Sequence, residues 1–291
     1  MKGFIILGLG MSSVLSAQID TAQVKEIQEV SFTKRLPVSK EIINVQKDLG
    51  AKNLGQDLPI LLKNQMSVVA TSDAGNGVGY TGFRIRGSAG TSINVMLNGV
   101  PYNDSESQGT FFVNIPDMAS SASQIVIQRG VGTSSNGTAS FGASVNILTK
   151  NPEEKPYFLT NQSAGSFNTM KTSFEAGSGK FLNNLLSVSA RYSTINSDGY
   201  IDRAFSKLNS YSINALFEKG NTKIRFLTFG GKEKTYQAWN GIDRQTWETN
   251  PRLNYSGQYT DLFTGEEKFY DNEILKNLTP EWQKAWRLVG N

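Results

Sequence analysis

The sequence holds neither cysteine nor histidine in its 291 residues. Without cysteine there are no disulfides, thiol nucleophiles or thiolate metal sites. Without histidine, the commonest general base and the commonest nitrogen ligand for a metal are gone. Charge is also sparse. The 29 Lys and Arg against 25 Asp and Glu leave +4, and the basic residues form no cluster, so nothing points to a nucleic-acid partner. No apolar run approaches the ~20 residues of a membrane-spanning helix. Enzyme chemistry is disfavoured by these absences, and the expectation is a non-enzymatic protein without a cofactor or metal.

What is present starts with a targeting signal. Lys2, the apolar run Phe4–Leu15 and the small residues Ser16–Ala17 read as a signal peptide over residues 1–17, cut before Gln18; a buried N-terminal helix is the alternative. An exported chain without a membrane helix can still enter a membrane as a β-barrel. Gln18–Pro37 is polar and lacks a helical period, so it reads as a flexible arm.

Residues 38–152 read as a small α+β domain. Asp57 is placed to cap a short helix over Leu58–Asn64, with Pro59 in the first turn. Strands are expected over Ser67–Ala70, Phe83–Arg86, Ile93–Leu97, Gln124–Gln128 and Val145–Leu148. The loops Ser72–Tyr80 and Asp104–Phe112 are small and polar and are expected to be exposed. The densest signal is Gln128–Lys150, QRGVGTSSNGTASFGASVNILTK. There Gly130, Gly132, Gly137 and Gly142 lie between two apolar runs, where glycine takes φ > 0 or lets backbones approach closely. Gly87 and Gly99 mark two further tight loops.

After Pro152 the pattern becomes period two. Following a first strand over Tyr157–Ala164, the segments Thr169–Ala176, Leu182–Ser193, Asn209–Phe217 and Thr222–Phe229 alternate. In the second of these, Leu182, Leu186, Val188, Ala190 and Tyr192 share a face opposite Ser187, Ser189, Arg191 and Ser193. In the third, Tyr211, Ile213, Ala215 and Phe217 oppose Ser210, Ser212 and Asn214. Apolar outward and polar inward suits a lipid-facing barrel, although a soluble antiparallel sheet alternates in the same way. The links Gly177–Phe181 and Glu218–Asn221 are tight, whereas Thr194–Leu208 and the segment after Gly230 are long, which matches the short periplasmic turns and long external loops of outer-membrane barrels, except that the first external link, Gly165–Asn168, is short. Residues 153–231 are therefore expected to be the first barrel strands, and residues 232–291 a long external loop and tail, with a helical look over Glu281–Leu288.

Two glycine patterns are discounted. Gly75–Gly79 lacks the following helix of a dinucleotide fingerprint. Gly177–Lys180 lacks the first glycine of a phosphate loop and has Phe181 where Ser or Thr must bind magnesium. Asp104 and Glu106 lack the further acidic neighbours that calcium requires.

Three ordered segments carry a resemblance. Phe83–Ser88 contains an "IRG" strand end, Asn94–Asp104 reads NVMLNGVPYND, and Gln128–Lys150 supplies "RG" with its Gly/Ser loop. In order and spacing they resemble the plug domain of TonB-dependent outer-membrane receptors, and the likeness runs from about Val24 to Tyr270. The resemblance implies a plug followed by antiparallel strands of an incomplete transmembrane barrel, since such receptors use about 22 strands. The chain would then be a fragment or a truncated gene. It implies that Ile27, Gln28, Glu29, Val30, Ser31, Phe32 and Thr33 form the TonB box, an extended segment that adds to a sheet edge of TonB; an edge strand of the plug is the other reading. It implies that Arg86 and Arg129 pair with glutamates on barrel strands, the alternative being solvated strand-end arginines. The implied partners are TonB, the lipid bilayer of the outer membrane and a metal chelate, most often an iron–siderophore, or a cobalamin-like ligand. The competing class is a secreted adhesin or surface sheet protein without transport, which explains the alternation but not the three ordered segments.

Overall fold

The computed structural model describes residues 40–131, 141–236 and 238–269. The expected signal peptide, the arm with the expected TonB box, Gly132, Gly137 and the helical stretch expected over residues 281–288 lie outside them.

The first part is the expected α+β domain. Its main sheet holds β1 (Lys40–Asn44), β4 (Ile93–Leu97), β5 (Val100–Pro101), β6 (Ala122–Arg129) and β7 (Ala143–Thr149) in the order β1-β6-β7-β4-β5. All pairings are antiparallel except β4 with β7. A separate ribbon pairs β2 (Val68–Ser72) with β3 (Thr81–Ile85). Alternate residues Ile125 and Ile127 of β6 and Val145 and Ile147 of β7 are buried, with Ile43, Leu49, Leu62, Ile85 and Ile93 around them. Asn98 and Gly99 both take φ > 0, at 52° and 84°, which lets an Asn-Gly pair turn β4 tightly into β5. Edge strand β1 was not expected.

Two helices of a single turn complete the domain, α1 (Leu58–Leu61) and α2 (Met118–Ser121). The helix expected over residues 58–64 is thus shorter. Asp57 occupies its N-cap but makes no side-chain capping bond; its Oδ2 accepts from Thr81 Oγ1 at 3.0 Å instead. A second expectation fails at the tip of the β2–β3 ribbon. Val78 is fully buried and Ala74 nearly so, because residues 73–80 pack against the strands that follow. The other loop, 104–112, is largely exposed as expected.

Those strands are β8 (Pro156–Gly165), β9 (Thr169–Phe181), β10 (Leu186–Ser197), β11 (Ser206–Lys219) and β12 (Thr222–Thr235), an antiparallel meander in sequence order. The expected faces hold. Ser187, Arg191, Ser193, Ser210, Ser212 and Asn214 are buried toward the α+β domain, and Phe158, Phe174, Tyr192, Tyr211, Ile213 and Phe226 are exposed on the other face. Leu216, the exception in β11, faces inward and is buried. The turn expected over residues 177–181 is displaced. β9 runs on to Phe181, because β10 pairs with it as far as Leu186↔Phe181; the Tyr157 ring lies over Gly177, where an added Cβ would fall 2.1 Å from Tyr157 Cε1. Gly179 at φ 68° and the register shift between Ser187 and Ser189 mark a bulge there. Leu182, expected on the apolar strand face, sits in the turn at φ 51°. The sheet is open at β8 and β12 among the described residues, so the number of barrel strands rests on the resemblance alone. Beyond β12 lie α3 (Arg244–Thr249) and a small hairpin of β13 (Gln258–Thr260) with β14 (Glu267–Phe269).

Candidate functional site

The plug meets the strands through a buried ionic cluster centred on Asp117. The segment before it, Phe112, Val113 and Ile115, is buried and fixes the chain, and Asp117 then takes φ 54° at the start of α2. Asp tolerates this left-handed backbone better than most residues, and its carboxylate accepts from Ser120 of α2 at 2.5 Å while meeting the cations of the strands. Lys171 of β9 donates from Nζ to Asp117 Oδ1 at 2.6 Å, Ser120 Oγ at 3.0 Å and Asn53 Oδ1 at 3.1 Å. All three ammonium hydrogens thus have acceptors. Arg191 of β10 donates from Nη1 to Asp117 Oδ2 at 3.0 Å and from Nε to Ser121 Oγ at 2.7 Å. Ser193 and Ser210 lie 2.8 and 3.2 Å from Arg191 Nη1, and Ser193 also donates to Asp117 Oδ2. The Asp117 and Lys171 side chains have no exposed surface, and that of Arg191 has 4%. Burial pushes the Asp117 carboxyl up, but Arg191 and Lys171 beside it outweigh that and hold it below its ordinary value.

A second polar contact closes the end of the plug. Arg225 of β12 donates to Thr149 Oγ1 at 2.6 Å, to the Lys150 carbonyl at 2.5 Å and to Asn214 Oδ1 at 3.1 Å. Glu175 of β9 accepts from Tyr157 OH at 2.8 Å and lies 3.5 Å from Lys150 Nζ. Between the two contacts is a polar cavity of about 20 Å³ lined by Ser121, Lys150, Glu175, Arg191 and Ser212 among others. Around Asp117 and Arg225 the interface is built from hydroxyls, amides and charges, and beside them Val78 and Val113 pack on Ile195 and Leu208, and Tyr102 on Phe229. Water can replace the polar contacts when they part, which an apolar interface would not allow so readily.

The residues singled out from the sequence fall elsewhere. Arg129 is buried, but it bonds to Glu41 on β1 and to the Met66 carbonyl at 3.0 Å, both within the plug. Arg86 is exposed at φ 52° and pairs with no described residue. The glutamates that the resemblance pairs with these two arginines are expected on strands beyond this chain, so the described residues do not test that pairing; what they show besides is a plug carboxylate, Asp117, between two cations of the strands. Gly87, Gly99 and Gly130 have φ of 78°, 84° and 82°, as tight loops require. Gly142 serves by close approach alone, since an added Cβ would lie 2.2 Å from Ser88 Cβ and 3.2 Å from Ser92 O. Asp104 spends Oδ1 on its own loop, accepting from Ser107 N and Oγ at 2.7 and 2.9 Å. No group of three or more acidic residues able to hold a metal occurs among the described residues. Asp117 was missed, although a lone carboxylate inside the apolar stretch FFVNIPDMA was the available signal. Arg191 was placed on the inward face, but nothing in the sequence named its partner.

Comparison with known proteins agrees with this architecture. Residues 33–144 match the TonB-dependent Receptor Plug Domain. No curated protein matches the sequence. Among solved structures, the ferric citrate transporter FecA in its unliganded form is similar at 16% identity and a TM-score of 0.62, over 75% of this chain and 34% of that one. The ferric yersiniabactin uptake receptor FyuA from Yersinia pestis is similar at 15% and 0.56, over 76% and 35%. The copper transporter OprC is similar at 14% and 0.56, over 68% and 32%. The chain thus spans about a third of the length of these proteins. Residues 33–144 thus match the plug domain of TonB-dependent receptors, and the strands that follow turn a polar face to it and an apolar face outward.

Proposed function

We propose that this plug and these strands serve a receptor that takes up a scarce ligand across the outer membrane, the cargo being a metal chelate such as an iron–siderophore. The observation that carries the reading is the interface at Asp117. A plug meant only to seal a barrel would be held best by apolar packing, because replacing a buried ion pair with well-packed apolar groups is often neutral or stabilising. Here a small apolar contact is joined by one carboxylate between two cations and by a wall of serines, contacts that can be exchanged for water when the plug is remodelled. The names of the similar structures, which include ferric citrate, ferric yersiniabactin and copper, favour a metal or metal chelate as cargo. Residues 27–33 would be the handle, pairing with a sheet edge of TonB and receiving the pull.

Val30→Pro tests this. Proline removes a ladder N–H and blocks strand addition. In cells that lack their own receptors and express the protein, binding of radio-iron chelates should persist while TonB-dependent accumulation falls to background. If no metal chelate in a panel of ferric citrate, hydroxamate and catecholate complexes is taken up in a TonB-dependent way by the unaltered protein, the cargo assignment fails. If Val30→Pro leaves uptake intact, the handle assignment fails.

A further inference from the structure

The plug tip, residues 73–80, is held by residues 198–205, the link from β10 to β11. The Ala74 carbonyl accepts from two successive amides of that link, Tyr200 N at 2.8 Å and Ile201 N at 3.1 Å. The Tyr200 ring lies over Gly75, where an added Cβ would fall 2.9 Å from Tyr200 Cδ1. Asn76 Nδ2 donates to Ser197 Oγ at the end of β10. The tip is in turn tied to the plug body, because Gly77 N donates to Ser72 Oγ at 2.9 Å, and Asp57 N to the Gly77 carbonyl at 2.9 Å.

The opposite side of the same link is gripped by residues 252–256. Arg252 Nε donates to the Tyr200 carbonyl at 2.8 Å and lies 3.3 Å from Asp202 Oδ1, and its guanidinium sits 5.8 Å from the centre of the Tyr200 ring. Asp202 N donates to the Arg252 carbonyl at 2.9 Å, and Asn254 Nδ2 to the Asp202 carbonyl at 2.9 Å. Arg203 donates to the carbonyls of Asn254 and Ser256 and covers the Phe269 ring at 3.9 Å. One residue, Tyr200, therefore gives its amide and ring to the plug tip and its carbonyl and ring to the segment beyond β12.

We propose that the 198–205 link is a coupling element, with Tyr200 as its positioning residue, through which a displacement of the 252–256 segment is transmitted to the plug tip. Tyr200 has one backbone, and its amide and carbonyl are fixed on opposite sides. Drawing Arg252 away tilts the peptide plane and lengthens the two bonds to Ala74, which loosens Gly77 and, through it, Asp57. The geometry stands whatever the cargo is, and the test uses none.

Amide hydrogen exchange on the outer-membrane-extracted protein reads the coupling. Arg252→Gln removes the charge and the guanidinium end of a side chain that is half exposed. It should speed exchange of the Tyr200, Ile201 and Asp57 amides by roughly tenfold or more, the change that follows from losing one charge-assisted hydrogen bond, while the β4 amides stay protected. Arg244→Gln is the control. Its side chain is 92% exposed and pairs with Glu248 on its own helix, so it should change none of these amides. The coupling must also be reciprocal. Asn76→Ala, made on the plug side, should speed exchange of the Asp202 amide, which contacts no plug residue. This second variant also serves if Arg252→Gln does not accumulate. Protected Tyr200 and Ile201 amides in Arg252→Gln, an unchanged Asp202 amide in Asn76→Ala, or an equal effect from Arg244→Gln would each overturn the proposal.

Discussion

Replacing Asp117 by asparagine removes one negative charge and almost no volume. The carboxylate is fully buried, with Oδ1 accepting from Lys171 at 2.6 Å and Ser120 at 2.5 Å, and Oδ2 from Arg191 at 3.0 Å and Ser193. Asparagine tolerates the left-handed backbone at φ 54°, so the substitution separates charge from strain. The amide offers one oxygen, and its NH₂ group turns a donor toward Lys171 or Arg191. Both cations then lie buried without a counter-charge. Removing one partner of a buried pair costs about 3–5 kcal/mol. Lys171 keeps Asn53 and Ser120, and Arg191 keeps Ser121, Ser193 and Ser210, which places the expected cost near the lower end, about 3 kcal/mol. At 1.4 kcal/mol per decade, the opened interface becomes roughly a hundredfold more populated. The lack of native cysteine makes this measurable. Ser212→Cys puts a single thiol on the strand wall of the polar cavity, and its rate of reaction with a maleimide reports opening. Adding Asp117→Asn should raise that rate by about two orders of magnitude. Lys171→Met in the same background should recover part of the loss, because it removes a stranded cation. Asp117→Ala should cost a further ~1–2 kcal/mol for alanine at positive φ. A labelling rate unchanged by Asp117→Asn would refute the idea that this cluster holds the plug to the strands.

Three further outcomes are expected. Burial pushes the Asp57 carboxyl from 3.8 to about 8, and one of its oxygens, Oδ1, has no hydrogen-bond partner. The folded state therefore holds the proton more tightly than the unfolded one, so this contribution is full below pH 3.8 and is lost as pH rises to about 8. The urea midpoint of the wild type relative to Asp57→Asn should fall over that window, and a constant difference would remove Asp57 as the titrating group. Gly99→Ala meets nothing within 4 Å and suffers only from its φ of 84°, about 1–2 kcal/mol. Gly142→Ala must displace Ser88, with an overpacking cost of about 1–3 kcal/mol; a smaller shift in urea midpoint than for Gly99→Ala would contradict the close-approach account. Glu41→Gln strips the charge from the partner of the buried Arg129 and should speed amide exchange across β1 at least tenfold, as loss of a charge-assisted bond of more than about 1.4 kcal/mol implies; unaltered β1 amides would show that the pair does not hold that edge.

Sequence alone determined what depends on local pattern. The alternation of Ser210, Tyr211, Ser212 and Ile213 dictates two faces, because a strand sends successive side chains to opposite sides. The Asn98–Gly99 pair dictates a hairpin, because few other residues accept φ > 0 twice in succession. Register escaped that logic where a distant residue intervened. Gly177–Lys180 looks like a turn until β10 pairs with it as far as Phe181 and keeps the strand going. The tip at 73–80 looks like an exposed loop until the 198–205 link covers it. The ion pairs escaped altogether. Arg129 and Arg86 each follow an apolar strand and precede glycine, and sequence gives no means of telling the arginine that meets Glu41 from the one left exposed. Asp117, Lys171 and Arg191 are 54 and 74 positions apart from the carboxylate outward, and no periodicity links them. A buried charge is stable only beside its opposite, and which opposite charge lies beside it is a property of how the plug sits against the strands, decided by tertiary packing and by nothing nearer in the chain.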